Sequence, residues 1–205
     1  MLITIMKKFP LLLIWSRVAF AVIIITLSIL KPSYFRIIII TLIALGLISD
    51  IFDGIIARKL NVSTPKLRRL DSTIDQVFWL AVVATAYIID PVFFKDNILA
   101  IAIIIGLEAI CYILCFLKFR KEVATHALSS KAWTLVLFAT LIQIIAVNHS
   151  VVLFNICLYL GIITRLEIIS IFLIIKNWTN DVPTVYHAVL IRRGKPIKRH
   201  KLFNG

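Results

Sequence analysis

The chain has 205 residues, of which 61% are apolar and 16% charged, and its formal net charge is +13. This excludes an ordinary soluble domain, in which about half the residues are apolar and about a quarter charged. The cations border the apolar runs, as juxtamembrane residues facing anionic lipid head groups do, so nucleic acid is not the expected partner despite the excess of Lys and Arg.

Lys7 and Lys8 precede a first apolar run over about 11–30. The run is too long for a signal-peptide core and lacks a small-residue cleavage site, so it reads as a retained span with an interfacial segment before it. Lys31, Pro32 and Ser33 break the chain, and a second span covers about 36–57. A basic loop of about 12 residues, 58–69, leads to a third span over about 71–89. Pro91 marks the next break, between Asp90 and Asp96, and a fourth span follows over about 97–117. A second basic loop carries Lys118, Arg120, Lys121, His126 and Lys131, before spans over about 132–147 and 151–175 and a basic tail. Each run approaches or reaches the length of about 20 residues that a helix needs to cross a bilayer. The expected fold is all-α: a polytopic membrane protein of six transmembrane helices with an N-terminal interfacial segment, domain 1–175, and a tail over 176–205.

Six spans return both termini to one side. That side holds both basic loops and the tail, while the opposite loops contribute Lys31, Arg36 and Lys95. By the positive-inside rule the basic side is cytoplasmic. A short chain of this kind fits a bacterial or archaeal plasma (inner) membrane.

Four of the ten acidic residues fall between 50 and 75. Asp50 and Asp53 are three apart and Asp71 and Asp75 four apart, so each pair shares one face of a helix. The first pair ends the second span and the second pair begins the third, which puts both at the cytoplasmic face. Any one of these acids alone reads equally as a helix-end charge in water. Four converging carboxylates make physical sense with hard divalent cations between them, which predicts a site for two Mg²⁺ or Mn²⁺ ions.

The stretch resembles the signature of the CDP-alcohol phosphotransferase family, D-x-x-D-G-x-x-A-R, eight residues, a Gly, then D-x-x-x-D. Asp50, Asp53, Gly54, Ala57, Arg58, Asp71 and Asp75 match it in register, and Leu67 stands at the Gly. In the family a Pro-Asn-x-x-Thr-x-x-Arg pattern opens the first span. Pro10 and Arg17 keep that spacing, with Leu11 and Ile14 at the polar positions. Arg17 reads equally as an interfacial anchor that snorkels to the surface. The resemblance implies a six-helix homodimer that transfers the phosphatidyl group of CDP-diacylglycerol to a small alcohol or polyol phosphate, releasing CMP. It implies metal ligands at Asp50, Asp53, Asp71 and Asp75, a general base at Asp75, and nucleotide and pyrophosphate contacts at Gly54, Ala57 and Arg58.

For the acceptor, Lys118, Arg120, Lys121, Lys131 and Arg165 are the candidates to hold a second phosphate, favouring glycerol 3-phosphate or inositol phosphate. Glu108, Arg165 and Glu167 lie within spans, where a charge needs a partner or a cavity. Arg165 reads equally as half of a structural ion pair and as a phosphate ligand. Cys111, Cys115 and Cys157 lie in spans with no further soft ligands, and read as packing. His126 reads as a solvated loop residue, and His149 lies on the far side. The alternative from another class is a divalent-cation transporter using the four Asp residues. The basic loop beside them would repel its cargo, and no paired helical repeats are visible.

Overall fold

In a bilayer core a backbone N–H or C=O without an internal partner is costly, so long apolar runs resolve into helices. The computed structural model describes residues 2–60, 64–121, 127–179 and 182–195. Among them are eight helices and no strand: α1 (Leu2–Leu30), α2 (Phe35–Lys59), α3 (Pro65–Ile89), α4 (Pro91–Asp96), α5 (Ile98–Phe119), α6 (Leu128–Val147), α7 (Val151–Ile174) and α8 (Val185–Arg192). Six are long and apolar enough to cross a membrane, over Phe9–Leu30, Phe35–Ala57, Arg69–Ile89, Ile98–Phe119, Leu128–Val147 and Val151–Ile174. The all-α polytopic expectation therefore holds. The segment before the first span continues it as one helix from Leu2.

Local chemistry moves several boundaries. The expected loop of about 12 residues after α2 is shorter, because α3 starts at Pro65. Thr64 caps it, its Oγ1 accepting from the Leu67 N–H at 3.2 Å, and Pro65 occupies a first-turn position where no N–H is needed. The break at Pro91 holds the short helix α4, whose Phe93 N–H donates to Asp90 Oδ1 at 3.1 Å. Lys131, expected in a loop, lies in the first turn of α6. His126, Lys66, Arg68 and the last tail cations fall outside the described residues or side chains.

The chain forms two compact units, Met1–Phe93 with Leu141–His149, and Phe94–Thr140 with Ser150–Gly205. In the first, α1 packs against both α2 and α3. Ile14, Ala21 and Ile24 of α1 are buried with Ile39 and Ile43 of α2 and Ile74, Phe78 and Val82 of α3. Gly46 lets α3 approach α2, since a Cβ there would overlap the Phe78 ring. Arg36 closes the end of α6, donating through Nη1 to the carbonyls of Ile145 at 3.1 Å and Ala146 at 2.9 Å.

In the second unit α7 packs against α5 and α8. Cys111, Cys115, Ile168, Ile171 and Phe172 are buried with Val182 and Ala188, so the tail after the sixth span contributes a packed helix. The exposed carbonyls at the end of α7 are satisfied by cations. Lys118 Nζ donates to Phe172 O at 2.7 Å and Leu173 O at 3.1 Å, and Arg192 Nη1 donates to Ile174 O at 3.0 Å. All three cysteines are buried thiols outside any disulfide, in keeping with a packing role.

Candidate active site

The first unit brings the four acidic residues together on two helices. Asp50 and Asp53 lie in the second half of α2, and Asp71 and Asp75 in the first half of α3. One carboxylate oxygen from each of Asp50, Asp53 and Asp71 lies within 4.8 Å of the other two. At an effective dielectric of about 20, two like charges at that distance repel by roughly 3 kcal/mol. The cluster therefore needs cations.

One cation is supplied by the chain itself. The Arg17 guanidinium, projecting from α1, pairs with all four acids: Nη1 with Asp50 Oδ1 at 3.0 Å and with Asp75, and Nη2 with Asp71 Oδ1 at 2.5 Å and with Asp53. Its side chain is wholly buried, and its Nε has no hydrogen-bond partner. The interfacial-anchor reading of Arg17 is thereby corrected: snorkelling needs a route to water, and this side chain turns into the bundle instead. With every acid ionised, one guanidinium against four carboxylates leaves three formal negative charges.

Burial of the acids is graded. The Asp53 side chain is 3% exposed, whereas those of Asp50, Asp71 and Asp75 are 27–40% exposed. The centre is thus closed behind Asp53 and open in front of the other three. Hard oxygen donors at this spacing fit Mg²⁺ or Mn²⁺, and the surplus negative charge favours them.

Gly54 and Arg58 lie on α2, but their surroundings are outside the described residues; Ala57 is buried. Leu67 is half-buried in the first turn of α3, where its N–H serves the Thr64 cap.

The five acceptor candidates belong to the second unit. Lys118 is bound to carbonyls of α7, Arg120 lies 5.5 Å from the centre of the Phe116 ring, and Lys121 lies 4.5 Å from that of Trp178. Lys131 stands in the first turn of α6. Arg165 Nε donates to Glu108 Oε2 at 2.8 Å, and its guanidinium sits 3.7 Å from the centre of the Trp133 ring. The ion-pair reading of Arg165 is therefore realised, yet its buried Nη1 has no hydrogen-bond partner. Glu167 accepts from the Ser129 hydroxyl at 2.5 Å.

Sequence reasoning placed all four acids and missed the role of Arg17. The available signal was an arginine eight residues inside the apolar span that opens at Phe9, a depth at which a charge calls for a partner.

Fold and site together define an integral membrane protein with a polar centre built from its first three spans. The chain belongs to the CDP-alcohol phosphatidyltransferase family, which matches it over residues 7–168. That match takes in Arg17, the four Asp residues and Arg165, and stops before α8. The protein is accordingly a transferase of phospholipid synthesis, acting on a CDP-alcohol and an alcohol acceptor at a membrane. Comparison with curated proteins and with solved structures gave no match.

Proposed function

We propose that the protein transfers the phosphatidyl group of CDP-diacylglycerol to a phosphorylated polyol such as glycerol 3-phosphate or inositol phosphate, with release of CMP. The observation that carries this reading is the convergence of Asp50, Asp53, Asp71 and Asp75 on one centre within a chain of this family. Asp50, Asp53 and Asp71 would hold two Mg²⁺ or Mn²⁺ ions, with Asp75 beside them. Such ions supply neutralisation of the pyrophosphate charge and of the charge that develops on the leaving phosphate.

The chain's own residues do the rest. Asp75, about one quarter exposed, takes the proton of the acceptor hydroxyl. The hydroxyl oxygen attacks the lipid-side phosphorus in line, and the bond from that phosphorus to the oxygen shared with CMP breaks, CMP carrying the electron pair away. Gly54 and Ala57 leave room for the nucleotide beside α2, and Arg58 pairs with phosphate oxygens. A buried donor without a partner is costly, so the free Nη1 of Arg165 makes it the leading ligand for the acceptor phosphate. Arg120, Lys121 and Lys131 are the further candidates to add positive charge near that phosphate, whereas Lys118 is committed to the carbonyls at the end of α7. Positive-inside charge bias supports a cytoplasmic active site in a plasma membrane, and family membership supports a homodimer; residues 1–175 form the catalytic membrane domain and 176–205 its basic tail.

The test is CMP release by purified protein in liposomes with CDP-diacylglycerol, Mg²⁺ or Mn²⁺, and glycerol 3-phosphate, inositol phosphate, inositol, serine and choline in separate reactions. Metal-dependent release with one phosphorylated polyol is the expected result. Release with serine or choline alone would overturn the acceptor class. Silence with every acceptor, together with divalent-cation flux, would make the acids a transport site.

A further inference from the structure

The carboxylates suited to a metal ion are the same ones that hold Arg17. Asp50 Oδ1 and Asp71 Oδ1 accept from the guanidinium at 3.0 and 2.5 Å, Asp53 Oδ2 and Asp75 Oδ1 also pair with it, and the Asp50, Asp53 and Asp71 carboxylates form the cluster able to hold an ion. A divalent cation and a guanidinium cannot both hold these carboxylates at full strength, because two positive groups a few ångströms apart repel. Entry of metal therefore has to loosen Arg17. A loosened Arg17 has nowhere good to go: its side chain is wholly buried, its Nε already lacks a partner, and the neighbouring buried residues on its helix, Ile14 and Ala21, are apolar. A buried charge stripped of its partners is among the most unfavourable states a protein can hold.

An anion that arrives with the metal removes the difficulty. A pyrophosphate offers a guanidinium the same paired oxygens that the carboxylates offered, so it can take over Arg17 while the carboxylates turn to the metal. We propose that Arg17 is an internal competitor for the metal site: it holds the four carboxylates together without metal, opposes metal binding alone, and makes metal and pyrophosphate bind as a coupled pair. The inference rests on the metal-site reading above and adds a coupling between two ligands that the carboxylates alone would not enforce. Because coupling is reciprocal, the nucleotide's affinity rises with metal by the same factor as the metal's rises with nucleotide.

The experiment measures Mn²⁺ binding to the full chain in detergent by the loss of the free-ion electron paramagnetic resonance signal. It is run with and without CDP, and a protein-free blank corrects for Mn²⁺ held by CDP in solution. Wild type, Arg17→Met and Arg17→Lys are compared. In wild type CDP tightens Mn²⁺ binding by about tenfold or more, within the usual range of two-site coupling. Arg17→Met binds Mn²⁺ alone about tenfold tighter than wild type, and its gain from CDP shrinks. If Arg17→Met does not fold, Arg17→Lys decides: a single ammonium cannot fork to four carboxylates, so it too binds Mn²⁺ alone more tightly than wild type. Equal or weaker Mn²⁺ binding by the folded variant, with an unchanged CDP effect, overturns the competition and leaves the metal site standing. No Mn²⁺ on any form, with or without CDP, overturns the metal site and the inference with it.

Discussion

Arg17 and Asp53 meet in the interior of the first unit, the guanidinium of α1 bonded through Nη2 to the one acid of the four that is closed off from the surface. The other three acids lie on the open side of the same guanidinium. The four acids are thus graded in exposure: Asp53 is held in the interior, while Asp50, Asp71 and Asp75 are partly exposed.

Replacing Asp53 should therefore cost stability as well as activity. Asp53→Ala removes one charged hydrogen bond from a guanidinium that keeps three others, so the loss should be about 1.5–3 kcal/mol rather than the larger cost of a stranded charge. Thermal unfolding in detergent measures it, and Asp71→Ala, at a partly exposed acid, should lose less stability for a similar loss of turnover.

Asp75→Asn keeps the shape of the side chain and removes its basicity. CMP release should fall by about 10²–10⁴ with CDP binding retained. Near-normal turnover would remove Asp75 from the role of base.

Chelation gives an independent check on the cluster. Dialysis against EDTA should abolish CMP release, and added Mg²⁺ or Mn²⁺ should restore it, because three carboxylate oxygens within 4.8 Å form a hard-donor set. Full activity after exhaustive chelation would contradict a metal-assisted reaction.

Two cations of the second unit should behave differently. Lys118 already donates to Phe172 O and Leu173 O at the end of α7, so Lys118→Met should lower the unfolding temperature without altering the acceptor KM. Arg165 retains an unpartnered Nη1, so Arg165→Gln should raise the KM for the phosphorylated acceptor about tenfold or more, the worth of one charge-assisted hydrogen bond. An unchanged KM would leave Arg165 as the partner of Glu108 alone.

Gly46 tests the packing beneath the site. A side chain there meets the Phe78 ring, so Gly46→Val should separate α2 from α3 and cost about 1–3 kcal/mol of stability. Phe78→Ala in the same background should recover part of that loss, read by thermal unfolding.

Much of the architecture was legible without coordinates, for a reason specific to the bilayer. Each apolar run had to be helical, so run length located six spans, and helical periodicity put Asp50 with Asp53 and Asp71 with Asp75 on shared faces. The burial of Cys111, Cys115 and Cys157 followed from the same composition. Boundaries were less legible. The α3 start at Pro65 depends on the Thr64 cap, and the docking of Val182 and Ala188 depends on a core assembled from α5 and α7.

What tertiary structure alone decided is rotation. Periodicity says which residues share a face of one helix, but not which way that face points when helices far apart in sequence pack together. That angle turned Arg17 from a candidate surface anchor into the centre of four carboxylates 33 to 58 positions further along the chain. The same angle joined Arg165 to Glu108, 57 residues earlier. A single residue of rotation, about 100° on a helix, would have undone either.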